Sequence, residues 1–171
     1  AESIRTGNPQ AKQEWKSLPQ DKLARYFRGQ YPSSLRAGRQ LAEKVELSSF
    51  RRLLDAGGGT GGLSIGICEA YPELVATVAD LPAVASISAR FISEAAMSHR
   101  IKTMAVDLSA GPPRGAYDVA VVRALLQVMP AEEARTVLMN ISKAMEPGGS
   151  LYIVGCVLDD SRLFPPASVA F

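Results

Sequence analysis

The feature that most restricts how this chain can fold is a run of glycines set between two apolar segments. Arg51-Arg52-Leu53-Leu54-Asp55 reads as a short strand ending in a carboxylate. Gly57-Gly58-Gly59-Thr60-Gly61-Gly62 reads as a tight turn, and Leu63, Ile67, Ala70 and Tyr71 then recur at helical spacing. A turn without Cβ atoms lets a ligand approach the backbone closely. Through Gly57, Gly59 and Gly62 the segment fits G-x-G-x-x-G, which between a strand and a helix marks a nucleotide-cofactor turn.

The residues beyond the turn repeat the strand–helix alternation. Leu74 to Ala79 is rich in β-branched residues and ends at Asp80; Pro82 opens a helix at its first position. Arg100 to Val106 predicts a third strand ending at Asp107, and Tyr117 to Val122 a fourth, apolar almost throughout, as a strand covered on both faces should be. Pro130 opens a helix with Ala134, Val137, Leu138, Ile141 and Met145 as its apolar stripe; Pro147-Gly148-Gly149 is expected to stop it before a fifth strand, Leu151 to Leu158. The alternation implies an α/β fold: a mostly parallel sheet with right-handed crossovers and helices on both faces. Such sheets bind ligands at the carboxyl ends of their strands, so Asp55, Asp80, Asp107 and Arg123 are expected to share one rim. Asp80 can accept from both hydroxyls of a ribose, whether the cofactor is NAD or S-adenosylmethionine.

Ahead of the glycine turn, the pattern from Pro19 to Val45 is helical, and Gly29 to Pro32 is expected to break it into two helices. Leu23, Tyr26 and Phe27 fall on one face. With Trp15 and Tyr31 these aromatics either roof a substrate or pack on the core, and packing is the plainer reading.

Composition narrows the function classes. The 171 residues suffice for one domain with a sizeable core. A net charge of +2 gives no basic excess for nucleic acid. No apolar run reaches the ~20 residues of a membrane helix. Residues 1–14 are polar, unlike a signal peptide. Cys68 and Cys156 lie in apolar stretches, which predicts buried reduced thiols in a cytoplasmic protein. Two cysteines and one histidine do not suit a structural zinc site, and no metal is expected.

Four segments in order resemble the motifs of S-adenosylmethionine-dependent methyltransferases of the small-molecule O-methyltransferase type. They are Leu54-Asp55-Ala56-Gly57-Gly58-Gly59-Thr60-Gly61, Asp80-Leu81-Pro82, Asp107-Leu108 and Glu146-Pro147-Gly148-Gly149. The resemblance runs from about Pro19 to Asp160. It implies a Rossmann-like core binding S-adenosylmethionine and releasing S-adenosylhomocysteine. Asp55 would belong to the cofactor site through the first motif, and Gly57 and Gly59 would lie against the methionine part. Asp80 would hold the ribose and Leu81 touch the adenine, whose pocket Asp107 and Leu108 would line. Arg123 matches a family lysine that contacts the cofactor, with a planar fork in place of a point charge.

Two departures shape the expected chemistry. The family's catalytic His-Asp-Trp segment corresponds to Gln127, Val128 and Met129, and its orienting glutamate to Gly155. Gln cannot serve as a base near pH 7. His99, the sole histidine, precedes the third strand and so belongs at the opposite end of the sheet. The expected reaction is therefore methyl transfer to a small organic, possibly aromatic, acceptor by proximity and orientation, with Gln127 orienting the acceptor. The alternatives are a non-catalytic S-adenosylmethionine-binding domain and an NAD-dependent oxidoreductase. Residues 1–48 are read as an arm and helices packing on the core, and 49–171 as the cofactor-binding core, ending after its fifth strand. The apolar fifth strand, and an arm over 161–171 carrying Pro165-Pro166, lead to the expectation of a homodimer.

Overall fold

The computed structural model describes residues 18–155. Trp15, Cys156, the last residues of the expected fifth strand and the arm over 161–171 lie outside the described residues. The elements are α1 (Gln20–Lys44), β1 (Arg52–Ala56), α2 (Gly62–Ala70), β2 (Val75–Asp80), α3 (Pro82–Glu94), β3 (Ile101–Ala105), β4 (Tyr117–Arg123), a 3-10 turn (Leu126–Val128), α4 (Ala131–Lys143) and β5 (Met145–Val154). Five parallel strands form one sheet in the order β3-β2-β1-β4-β5. The chain winds outward from β1 in one direction and then, through β4, in the other. The crevice at that reversal opens at the carboxyl ends of β1 and β4, where the glycine turn sits.

Period-two alternation divides the core. Leu53, Ala76, Val78, Val119 and Val121 face α2 and α3, together with Leu63, Ile67 and Ile92. Leu54, Ala79, Ala120 and Val122 face the other way, onto Val137 and Ile141 of α4. Helices on both faces explain why β4 reads as an uninterrupted apolar run.

Three local expectations are corrected. The break at Gly29 to Pro32 does not occur: α1 runs unbroken for 25 residues with Pro32 inside it. An interior proline costs a helix ~3 kcal/mol in isolation. Here Tyr31 and Leu35 pack on the core from either side of Pro32, and Gly38 rests on the Leu63 carbonyl of α2. This tertiary contact outweighs the local penalty. Tyr26 does not share the buried face of Leu23; it is 42% exposed, whereas Leu23 is buried.

The third correction concerns Pro147-Gly148-Gly149, which does not stop the last helix. α4 ends at Lys143, and β5 begins two residues later at Met145. Tyr117 pairs with Met145 and Val119 with Ser150, so residues 146–149 stand opposite Asp118 alone, as an irregularity inside the strand. Gly148, at φ +83°, takes the left-handed conformation this excursion requires. Met145 still packs with the α4 core, but from the strand.

Candidate functional site

The turn after β1 is closed by its own backbone. Gly57 N–H donates to the Ala79 carbonyl at 2.8 Å, locking the turn to the end of β2, and Gly61 N–H donates to the Gly58 carbonyl at 2.9 Å. Gly58 is the residue that sequence reasoning left without a role. A Cβ there would lie 2.6 Å from Asp55 Cγ and 2.8 Å from Val78 Cγ1. Only glycine lets the turn fold down over the Asp55 side chain. Gly59, at φ +58°, faces α1, where a Cβ would come within 3.1 Å of the Phe27 ring.

Asp55 therefore sits beneath the turn, 1% exposed, and not open on the rim. Its Oδ2 accepts from Ser64 Oγ of α2 at 2.8 Å. Its Oδ1 is buried without a hydrogen-bond partner among the described residues. Burial pushes the Asp55 carboxyl up to about 6; the Ser64 bond and the Arg123 charge oppose this, while the Asp80 charge adds to it. A carboxyl whose affinity for a proton rises on folding stabilises the fold below its unfolded value near 3.8. That contribution is lost as pH rises through about 6. At ~1.4 kcal/mol per unit the full span is about 3 kcal/mol. Asp55→Asn cannot titrate, so its unfolding free energy should gain about 2–3 kcal/mol on wild type between pH 4 and pH 8. Urea unfolding of both proteins across that range checks this; parallel curves would mean that Asp55 is not buried as described.

Asp80 closes β2 at the same level. Its Oδ2 accepts from Gly59 N–H at 2.8 Å and its Oδ1 from Leu81 N–H at 2.7 Å. Each carboxylate oxygen can still accept a further bond. Burial raises the Asp80 carboxyl above the usual range, with the two backbone donors pulling the other way. Pro82 takes the first position of α3, as its sequence predicts. Asp107 lies two residues beyond β3, its Oδ1 accepting from Ser109 N–H at 3.1 Å and Ser109 Oγ at 2.7 Å. Leu108 is buried with Val122 and Ile141, and its carbonyl accepts from Asn140 Nδ2 at 2.9 Å.

The far wall comes from the end of β4. Arg123 Nη2 donates to Ser33 Oγ at 2.9 Å, tying α1 to the sheet. Ala124 follows at φ +54°, a conformation that costs a non-glycine residue ~1–2 kcal/mol. This bend brings Leu125 over Gly57. Gln127 is exposed in the short 3-10 turn, and its Oε1 lies 2.9 Å from where a Cβ at Gly155 would stand. Gln127 and Gly155 are thus neighbours, with one amide side chain and no second side chain between them. His99 is exposed just before β3, its Nδ1 3.1 Å from the Ala96 carbonyl oxygen, at the opposite end of the strands. Asp55, Asp80, Asp107 and Arg123 all gather at the carboxyl edge. A shallow groove lined by Ala24, Arg28, Ile87, Arg90, Phe91 and Glu94 opens between α1 and α3 and shares none of these residues. Ser33, Ser64 and Leu125 escaped sequence reasoning, because nothing local marks a residue whose partner lies on another element.

Comparison with known proteins gives a consistent picture. The O-methyltransferase domain family matches residues 12–169. A 3-hydroxy-5-methyl-1-naphthoate 3-O-methyltransferase of Streptomyces sahachiroi is 34% identical over 140 residues, 82% of this chain and 41% of its own length. An L-tyrosine C(3)-methyltransferase of Streptomyces lavendulae is 29% identical over 124 residues, 72% of this chain and 34% of its own length. The chain thus spans well under half the length of these relatives. Among solved structures, an O-methyltransferase from neocarzinostatin biosynthesis, in complex with S-adenosyl-L-homocysteine and 1,4-dihydroxy-2-naphthoic acid, superposes with a TM-score of 0.79. It is 24% identical, and the match covers 90% of this chain and 48% of that one.

Proposed function

Because the chain belongs to the O-methyltransferase domain family, we propose that it binds S-adenosylmethionine at the carboxyl ends of β1 and β2 and transfers its methyl group to a small organic acceptor. The observation that carries this reading is the pairing of a Cβ-free turn with the Asp80 carboxylate, which backbone bonds hold on Gly59 and Leu81. The residues fit such a cofactor. Gly57 and Gly59 offer backbone to its methionine part, and Asp80 has acceptor capacity left for two ribose hydroxyls. Leu81, Asp107 and Leu108 follow β2 and β3, where an adenine would extend. Asp55, buried under Gly58, supports the turn and adds negative charge below a cationic ligand.

When bound, this cofactor supplies a methyl group on a sulfonium, already activated for displacement, and leaves as S-adenosylhomocysteine. The chain's task is to hold donor and acceptor in line and to exclude water; orientation of this kind supplies up to ~7–11 kcal/mol in well-aligned systems. Gln127 donates or accepts one hydrogen bond at the acceptor but cannot remove its proton. The acceptor therefore arrives nucleophilic: a carbon centre, an amine or an anion. Relatives named for both O- and C-methylation support a frame that serves different nucleophiles. The Phe27 ring beside Gly59 and the naphthoates named with two relatives favour an aromatic acceptor. Tyr31 instead stacks on Phe91 at 4.8 Å, as core packing.

The amide at Gln127 and the bare Gly155 equally favour a second reading, a domain that binds the cofactor without turning it over. Calorimetry with S-adenosylhomocysteine, with NADH as the control, tests the shared part. Binding of the first and not the second is expected, and the reverse selectivity would return the turn to a dinucleotide. Methyl transfer to hydroxynaphthoates and aromatic amines then separates enzyme from binder.

No helix among the described residues is long and apolar enough to cross a membrane. A cytoplasmic location and the lack of a nucleic-acid partner remain part of the proposal. So does the homodimer, which β5 supports: among the described residues it is an edge strand, with Leu151 39% and Ile153 52% exposed. Light scattering at micromolar concentration should give twice the mass of one chain; a monomer that binds S-adenosylhomocysteine would remove the dimer.

A further inference from the structure

Ser88 lies in the middle of α3 and is fully buried. Its hydroxyl touches two carbonyl oxygens: that of Val84, one turn back at 3.1 Å, and that of Gly59 in the turn after β1. A hydroxyl has one proton to donate. A buried helix serine ordinarily gives it to the carbonyl four residues back, which leaves nothing further to explain. Here the second acceptor belongs to the residue whose N–H is bound by Asp80. The two peptide planes that meet at the Gly59 Cα are thus each held by a side chain. Asp80 takes the N–H of one, and Ser88 holds the carbonyl of the other. Both grips come from the β2–α3 unit.

We propose that Ser88 is a positioning residue for the cofactor site, acting through Gly59 on Asp80. Gly59 sits at φ +58°, in a region that glycine enters and leaves freely. Without the Ser88 bond its carbonyl can swing, and the N–H loses alignment with Asp80 Oδ2. The carboxylate would then no longer be held with its remaining lone pairs directed at a ribose. Phe27 packs against the same glycine from α1, so a shift there would also be felt at the outer wall.

The inference rests on the cofactor reading above, and the test separates the two. S-adenosylhomocysteine affinity is measured by calorimetry for wild type, Ser88→Ala, Asp80→Asn and the double variant, with a thermal midpoint for each. A wild type that fails to bind overturns the cofactor reading itself. Given a wild type that binds, Ser88→Ala should weaken affinity about 5- to 20-fold, the scale of one lost hydrogen bond. In the Asp80→Asn background the same change should alter affinity less than twofold, because the group it positions is already impaired. The drop in thermal midpoint should be similar in both backgrounds. An affinity loss that is absent, or multiplies unchanged through both backgrounds, overturns the proposal and leaves Ser88 a helix-stabilising residue. Should Ser88→Ala not fold, Ser88→Cys keeps a weaker donor in place. Its smaller loss must show the same dependence on Asp80.

Discussion

Gly38→Ala is expected to lower the stability of this fold by about 3 kcal/mol, although alanine is the better helix former by ~1 kcal/mol. A Cβ at Gly38 would lie 2.2 Å from the Leu63 carbonyl oxygen, 2.9 Å from its carbon and 3.0 Å from its Cα. All three atoms are backbone of α2, so no side chain can rotate away. The fit is reciprocal: a Cβ at Gly66 would meet the Leu35 carbonyl oxygen at 2.6 Å and Arg39 N at 2.8 Å. The two helices approach backbone to backbone, and an added methyl must push them apart. Gly29→Ala provides the control, since it lies in the same helix with nothing within 4 Å of its Cβ position. That change should leave stability unaltered or raise it by up to ~1 kcal/mol. Urea midpoints for both variants decide the matter; equal midpoints would mean that α1 does not seat on α2 as described. Displacing α1 also moves Ser33 from Arg123 and Phe27 from Gly59, so the Gly38 variant should lose cofactor affinity as well.

What was legible in the chain, and what was not, follows the reach of the interactions. β1, the glycine turn and the proline-led start of α3 are fixed by neighbours in sequence: a short apolar run ending in a carboxylate, consecutive glycines, and Pro82 where a missing N–H does no harm. Parallel pairing follows from the alternation of elements, whereas the order β3-β2-β1-β4-β5, with β4 beside β1, does not. Local rules failed where a distant contact decides. Pro32 signals a break, but the seat of Gly38 on Leu63 keeps α1 whole. Pro147-Gly148-Gly149 signals a helix stop, yet the chain is already paired at Met145, because the α4 core claims that side chain. At the site, the acidic ends of the strands could be read, but not that Gly58 covers Asp55 or that Gln127 folds toward Gly155. Those facts depend on how closely two elements approach, and no periodicity encodes that.

The second large effect is expected at Asp80, on binding. Each hydrogen bond to a charged acceptor is worth ~1.5–3 kcal/mol, so loss of even one ribose bond in Asp80→Ala should weaken S-adenosylhomocysteine by about one to two orders of magnitude. Alanine also strands the Gly59 and Leu81 N–H groups, each worth ~1–3 kcal/mol if left unpaired. The alanine variant should therefore be less stable too, and its affinity alone cannot isolate the ribose contact. Asp80→Asn keeps one carbonyl oxygen for the backbone and removes the charge. Its affinity should fall about tenfold at pH 8 with a smaller loss of stability. The pH dependence provides the sharper test. Burial raises the Asp80 carboxyl above the usual range, so acidification protonates it sooner than an exposed carboxyl. A ligand that needs the ionised form then binds more weakly as pH falls. Wild-type affinity should drop as the pH is lowered from 8, while Asp80→Asn should show a much flatter profile. Asp55, pushed up to about 6, also titrates on acidification, and the Asp80 charge contributes to its shift, so Asp55→Asn and Asp55→Asn/Asp80→Asn are compared in the same way. Calorimetry of both pairs on acidification settles the assignment: a constant ratio would show that Asp80 supports the turn without touching the cofactor.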